Sequence, residues 1–100
     1  MRKGYNAEWE AKQKLIKEFG KMNIFKIAIG GAVDYLVVGQ GKLIKCVECK
    51  ECHGKKYYPG PDEKRQFERI REFCTEHKID CEIWIKYPNR GWETKSVFSI

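Results

Sequence analysis

Residues 33–50 of the chain form the continuous stretch VDYLVVGQGKLIKCVECK, and its pattern decides the fold. Two runs rich in β-branched and other apolar residues, 33–38 and 43–50, flank a glycine-containing segment at 39–42. β-Branched and aromatic residues favour strands, and glycine favours the tight turn between them. The stretch therefore predicts a β-hairpin of two antiparallel strands.

The hairpin carries two acids, Asp34 and Glu48, whose relative position depends on the length of the turn. A two-residue turn would pair Val38 with Leu43 and point the two carboxylates to opposite faces. A three-residue loop would pair Gly39 with Leu43 and place the acids opposite each other, with about 5 Å between their Cβ atoms. We prefer the three-residue loop, because a glycine suits the left-handed position of such a loop.

Lys50 follows Glu48 by two residues, so strand alternation puts both side chains on one face, which Asp34 shares in the preferred register. Two acids and an ammonium on an apolar hairpin are costly to bury unless they are paired or bind a cation. A Glu-x-Lys pair alone is common on surface strands. Joined to Asp34, it indicates a site for Mg²⁺, or Mn²⁺ as a substitute, that hydrolyses phosphodiesters. Lys50 would orient the attacking water or stabilise the transition state.

The composition indicates one folded, basic domain. The chain of 100 residues has the size of a single domain, residues 1–100, and its 42% hydrophobic content argues against disorder. A balance of 20 basic against 14 acidic residues leaves a net charge of +6, which is typical of a nucleic-acid partner. No run approaches the length of a membrane span, and the odd number of cysteines, 5, favours reduced thiols. We therefore expect a cytoplasmic protein with neither a membrane nor a small-molecule substrate as partner.

The remaining patterns place two helices around the strands. Apolar periodicity predicts a helix at residues 6–19, with Asn6 as its N-cap and Gly20 as its end. A second helix opens at Pro61, and its buried stripe comprises Phe67, Ile70, Phe73, Cys74 and, if the stripe is wide, His77. Further strands are predicted at residues 24–29, 80–87 and 92–100. The order αβββαββ predicts an α/β domain with a central mixed five-stranded β-sheet flanked by two helices.

Glu8 lies at the centre of the apolar stripe of the first predicted helix. A carboxylate one turn inside a helix start can simply favour the positive end of the helix dipole. It can also point inward, towards Asp34 and Glu48. The residues themselves leave both explanations open.

The loop at residues 51–60 combines cations with aromatic rings in Lys55-Lys56-Tyr57-Tyr58. Such a mixture suits contact with phosphates and stacking on bases or sugars, although an ordinary solvated loop has the same composition. Gly30 and Gly31, after the first predicted strand, let the backbone bend tightly or approach a ligand closely.

The segment from Cys46 to His53 has the spacing C-x2-C-x2-C-H, so a zinc site or an iron–sulfur cluster has to be considered. In an extended strand, Cys46 and Cys52 face one way and Cys49 the other, which opposes convergence of the thiols on one ion. We therefore interpret Cys46 and Cys49 as small core residues, and a zinc-stabilised structural protein is an alternative.

The sequence resembles the PD-(D/E)xK nuclease superfamily, because Asp34 is followed by thirteen residues and then by Glu48-Cys49-Lys50. The wider pattern resembles the archaeal Holliday junction resolvases within it. The matching segments are Arg2-Lys3-Gly4 with Ala7-Glu8, Val33-Asp34 with Val38-Gly39 and Gly41-Lys42, Glu48-Cys49-Lys50, Glu72-Phe73, and Gly91-Trp92. They are spread over almost the whole chain. The resemblance implies a restriction-endonuclease-like fold.

The resemblance also implies roles for individual residues. Glu8, Asp34 and Glu48 would bind the ion together with Cys49, and Lys50 would be the catalytic lysine beside the three acids. A twofold homodimer would cut paired strands of a four-way DNA junction symmetrically. The residues near the DNA would be Arg2, Lys3, Lys26, Gly30 and Gly31, with Lys55 and Lys56 added from the loop.

Two alternatives keep this fold. One is a nuclease of the same superfamily that acts on another nucleic-acid structure, and the other is a basic DNA-binding module without turnover. The chain departs from the family pattern at Trp9 and at Gly30-Gly31, which bear on junction selectivity, and Val33 stands where the superfamily has a proline.

Overall fold

The computed structural model of the protein describes residues 3–27 and 33–100, and side chains from residue 7 onwards. The helices are α1 (Lys3–Phe19) and α2 (Pro61–His77), and a 3₁₀ turn at Lys21–Asn23 follows α1. The strands are β1 (Ile24–Lys26), β2 (Tyr35–Gly39), β3 (Lys42–Glu51), β4 (Asp80–Tyr87) and β5 (Gly91–Ser96). The predicted order αβββαββ is confirmed.

The five strands form one mixed sheet in the order β1-β2-β3-β4-β5. Strands β3 and β4 are parallel, and the other neighbouring pairs are antiparallel. A parallel pair needs a crossover connection, and here α2 provides it. The prediction of an α/β domain with a mixed five-stranded sheet and two helices is therefore confirmed.

The two helices cover opposite faces of the sheet. The buried cluster on the α1 face consists of Leu15, Tyr35, Val37 and Val47, with Cys49 and Trp84 packed against it. The cluster on the α2 face includes Phe67, Ile70, Cys74, Cys46, Cys81, Ile83 and Ile85. Strand β3 contributes side chains to both clusters, as expected for a central strand that is a nearly continuous apolar run. Its alternation separates Cys46 from Cys49, as predicted.

The turn of the β2–β3 hairpin has two residues, so the predicted three-residue loop is wrong. Gln40 and Gly41 both have positive φ angles, 53° and 76°, which is the backbone of the type I′ turn that matches strand twist. Gly39 instead provides space, because a Cβ there would meet the Cδ1 atom of Ile44 at 2.4 Å.

A bulge nevertheless restores the register that we preferred. Val38 pairs with Leu43, but Val37 pairs with Lys45, so Ile44 is the extra residue on β3. Pairing then continues to Tyr35 opposite Val47. The next residues along the two strands are Asp34 and Glu48. The two acids therefore face each other by a combination of turn and bulge rather than by a longer loop.

Three helix features differ from their predictions or refine them. Asn6 is not an N-cap, because α1 begins at Lys3, whereas the predicted end at Gly20 is confirmed by its φ of 90° and by its N–H donating to the carbonyl of Ile16. Phe73 and His77 are exposed rather than buried, and their rings contact each other at 4.5 Å between centroids. The inner stripe of α2 is narrower than predicted.

Two strands also end earlier than predicted. Strand β1 stops at Lys26, and residues 28 and 29 of the predicted strand lie outside the described residues. Strand β5 stops at Ser96 rather than Ile100, because the chain turns and the N–H of Ser99 donates to the carbonyl of Ser96. Within the described ranges, neither helix is long and apolar enough to cross a membrane.

Candidate active site

Asp34 stands where the first three strands meet, just before β2. Its backbone carbonyl accepts a hydrogen bond from the N–H of Ile27 at 2.9 Å, and its Oδ2 accepts one from the N–H of Cys49 at 2.8 Å. These two bonds hold Asp34 between the end of β1 and the last third of β3. Burial raises the pKa of the Asp34 carboxyl, and Glu8 adds to the increase, while the N–H of Cys49 opposes it.

Glu48 is the one charged residue within 7–27 and 33–100 that is buried, with 5% of its surface exposed. Its Oε2 accepts from Gln66 Nε2 at 2.9 Å and lies 3.1 Å from Lys50 Nζ. Its Oε1 is buried and has no hydrogen-bond partner in the part of the chain that the structure describes. Burial raises the pKa of Glu48, and the neighbouring Asp34 raises it further. The carboxylate is therefore only half satisfied.

Lys50 projects to the same face of the sheet as Glu48, as strand alternation predicted, and α2 covers this face. Its Nζ donates to Gln66 Oε1 at 2.9 Å and lies 3.6 Å from Glu63 Oε2. It also lies 5.7 Å from the centre of the Phe67 ring. The ammonium is thus held between the strand and the first turns of α2, with 17% of the side chain exposed.

Glu8 lines the same small pocket as the other three predicted catalytic residues, but it does not join them. It lies on the inner side of α1, between the buried Ala11 and Leu15 and the partly buried Phe19, but is itself partly exposed. The helix-dipole explanation is wrong, because α1 begins at Lys3 and has no acid in its first turn.

The Glu8 carboxylate forms an ion pair with Lys26 of β1, and both groups are partly exposed. The pocket has a volume of about 170 Å³ and is lined by Ala7, Glu8, Asp34, Glu48, Cys49, Lys50 and Glu51. Among the described residues, no three or more His, Cys, Asp and Glu side chains are arranged to hold a metal ion. The structure therefore brings Asp34, Glu48 and Lys50 together, while Glu8 stays with its lysine partner.

Cys49 lies beside the acids, and its thiol packs on the α1 face of the sheet within hydrogen-bonding reach of Asp34. The side chain packs against the cluster of Tyr35 and Val47, and burial raises the pKa of the thiol. A metal-binding thiolate is unfavourable under these conditions. The N–H of Cys49 is also directed at Asp34. The carbonyl of a strand residue points to the same edge as its N–H, so a contribution of Cys49 to a metal site would come from its backbone oxygen.

The structure describes only some of the residues that were predicted to contact DNA. Arg2, Gly30 and Gly31 lie outside the described residues, as does the side chain of Lys3. Lys26 is paired with Glu8 and lies 5.1 Å from the centre of the Tyr35 ring.

The loop after β3 has an exposed basic tip. Lys55 and Lys56 are exposed, and Arg90 of the β4–β5 turn fixes the loop by donating to the carbonyls of Gly54 and Lys55. An open groove of about 750 Å³ lies between this loop and the turn. Of the two tyrosines in this loop, Tyr57 is buried at 9% exposure and Tyr58 is exposed, so the suggested stacking on bases or sugars stays open for Tyr58 and not for Tyr57. The basic tip lies at the carboxyl ends of β3 and β4.

Three polar residues, two at the site and one at the basic tip, were not predicted. Gln66 and Glu63 come from the first turns of α2, and Arg90 comes from the β4–β5 turn. Gln66 and Glu63 could have been found from the sequence, because they precede the buried residues Ile70 and Phe67 by one helical turn and so lie on the same face of α2. Arg90 had none, because it acts through backbone carbonyls.

The fold resembles that of a protein of known structure. It is similar to Hjc, a Holliday junction resolvase from the archaeal hyperthermophile Archaeoglobus fulgidus, solved at 1.6 Å resolution, with a TM-score of 0.60. The fold is resolvase-like. The match covers 91% of this chain and 73% of Hjc, with 17% sequence identity, so it establishes similarity of fold alone. No protein-family model matches the chain, and no curated protein matches it significantly by sequence.

Proposed function

We propose that the protein is a metal-dependent DNA endonuclease. The observation that carries the proposal is the Glu48 carboxylate, which is buried beside a second acid and has one oxygen without a donor in the described part of the chain. An unsatisfied buried acceptor costs about 1–3 kcal/mol, and more when it is charged. A divalent cation between Glu48 and Asp34 would remove both this cost and the repulsion of the two acids.

Asp34 and Glu48 would hold the ion, with the backbone carbonyl of Cys49 as a further oxygen. Two carboxylates with few other protein ligands suit Mg²⁺, which keeps most of its waters, and Mn²⁺ is a substitute. Glu8 would complete the set if its carboxylate left Lys26. When bound, the ion supplies charge stabilisation at the phosphate and a more acidic water.

Lys50 is the residue that we assign to the reacting groups. Its ammonium is held 2.9 Å from Gln66 Oε1 and 3.1 Å from Glu48 Oε2, so its position is fixed before substrate binds. An ammonium prepositioned in a partly buried site stabilises developing negative charge more strongly than one in water. Lys50 would therefore donate to a phosphate oxygen or orient the attacking water.

The basic surface would bind the DNA backbone. The net charge of +6 favours a polyanion, and the tip with Lys55 and Lys56 leaves β3 shortly after Lys50. Branched DNA, in the form of a four-way junction, is the proposed substrate, supported by the fold likeness and by the motifs of the chain. A homodimer would present two such sites and cut paired strands symmetrically.

A panel of labelled substrates tests the proposal. A four-way junction, a flap, a plain duplex and a single strand would be incubated with Mg²⁺, with Mn²⁺ and with a chelator. We expect metal-dependent nicks in the junction and weaker or no cleavage of the others. Preferential cleavage of a flap or duplex would keep the nuclease but replace the substrate.

One observation favours a second candidate, a DNA-binding module without turnover. Glu8 is paired with Lys26, so among the described residues its carboxylate does not form one group with Asp34 and Glu48. This candidate predicts tight, salt-dependent junction binding with no product at any Mg²⁺ or Mn²⁺ concentration. The same panel distinguishes the two functions.

A further inference from the structure

We propose that Gln66 is a positioning residue that fixes both Glu48 and Lys50 for catalysis. The inference rests on the proposed nuclease function and extends it to a residue on α2. Gln66 contacts both groups with its one amide: Nε2 donates to Glu48 Oε2 at 2.9 Å, and Oε1 accepts from Lys50 Nζ at 2.9 Å.

The chemistry of the two partners determines the orientation of the amide. A carboxylate only accepts hydrogen bonds and an ammonium only donates them, so the amide must offer its NH₂ to Glu48 and its oxygen to Lys50. Flipping the amide would break both bonds. Lys50 Nζ also lies 3.1 Å from Glu48 Oε2, which closes a triangle of three groups. Such a closed network holds each member in one position.

The triangle distinguishes the two oxygens of Glu48. Gln66 and Lys50 both bind Oε2, whereas Oε1 has no partner among the described residues. One oxygen is therefore reserved for holding the carboxylate, and the other is left for a cation. Hydrogen bonds to a ligating carboxylate of this kind orient it and change metal affinity by about 10–100-fold.

The α2 scaffold makes this arrangement rigid. Gln66 precedes Phe67, which is 1% exposed in the core, so the helix cannot shift without disturbing that packing. The N–H of Gly60 donates to Glu63 Oε1 at 3.0 Å at the start of the helix, while Glu63 Oε2 faces Lys50. The first turns of α2 thus act as a fixed frame for the strand residues.

Two variants of Gln66 test its hydrogen bonds to Glu48 and Lys50. Gln66→Met removes both bonds at nearly constant volume, and Gln66→Glu keeps the acceptor for Lys50 while losing the donor to Glu48. The matched control is Gln13→Met, at an exposed position of α1. Each protein would be assayed for junction cleavage, for junction affinity, and for Mn²⁺ binding by titration calorimetry, with circular dichroism as a check of folding.

We expect both Gln66 variants to lose about 10–100-fold in turnover and in Mn²⁺ affinity, with junction affinity within about twofold of wild type. Gln13→Met should match wild type. A folded Gln66→Met protein that binds Mn²⁺ and cleaves like wild type overturns the inference while leaving the nuclease intact. Equal losses in junction affinity and turnover would also overturn it, since they indicate general damage. A wild-type protein that neither binds Mn²⁺ nor cleaves overturns the proposed function, and this inference with it.

Discussion

Addition of Mn²⁺ to the metal-free protein should raise its melting temperature through Asp34 and Glu48. Burial raises the pKa of both carboxyls, and a neighbouring acid raises each further, so the fold disfavours their charged forms. Glu48 Oε1 also lacks a donor in the described ranges. A cation that binds the folded chain and not the unfolded one stabilises the fold by mass action.

The size of the shift follows from the free metal concentration. At ten times the Kd, binding to one site adds about 1.4 kcal/mol to the free energy of unfolding. For a domain of this length, each kcal/mol shifts the melting temperature by roughly 4–8 °C. We therefore expect an increase of about 6–11 °C, with a further rise at higher metal concentration.

Thermal unfolding followed by circular dichroism would measure the shift, with a chelator as the reference state. Glu48→Gln should abolish it, because the variant loses the buried anionic ligand. Glu76→Gln, at an exposed position of α2, is the matched control and should keep it. A wild-type protein with no metal-dependent shift, or a Glu48→Gln protein with the full shift, would refute the assignment of these acids to a metal site.

Three further predictions concern charge. Lys50→Met should lower turnover by about 100-fold while junction affinity in gel-shift assays stays nearly constant, and an equal loss of affinity would contradict its catalytic role. The double variant Lys55→Gln with Lys56→Gln should lower junction affinity while turnover stays nearly constant. It should also reduce the salt dependence of junction binding: the slope of log affinity against log salt should fall by about 0.9 for each phosphate that the variant no longer neutralises. In the presence of chelator, the raised pKa of Asp34 and of Glu48 stabilises the fold at any pH below the ordinary pKa values of these groups, 3.8 and 4.5. This stabilisation is lost as the pH rises through the raised pKa values of the folded protein. Urea unfolding should therefore show wild type losing stability relative to Glu48→Gln as the pH rises, and a pH-independent difference would contradict this.

The hairpin shows which structural features a sequence pattern can predict and which it cannot. The two strands follow from their apolar runs, which are a local property, whereas the facing of Asp34 and Glu48 also needs a register that alternation alone does not set. The type of turn could not be predicted from the sequence, because a two-residue turn with a bulge and a three-residue loop produce the same strand pairing from Val37 to Tyr35. In the observed turn Ile44 packs over Gly39, a contact that no local pattern encodes.

The site was predicted where it lies within one strand and less well where it spans elements. Glu48 and Lys50 share a face because they are two residues apart on β3. Glu8 was expected among the acids, but its place depends on competition with Lys26, a long-range partner 18 residues away in the chain. Gln66 was missed for the same reason, since its importance arises only when α2 packs on the sheet.

Cleavage mapping on a four-way junction labelled in turn on each strand tests the central claim most directly. Wild-type protein with Mg²⁺ should produce paired nicks at symmetric positions on two opposing strands, and these nicks should vanish with chelator and in Glu48→Ala. Intact strands at every Mg²⁺ and Mn²⁺ concentration, or nicks that persist in chelator and in Glu48→Ala, would contradict a metal-dependent nuclease site built on Asp34, Glu48 and Lys50.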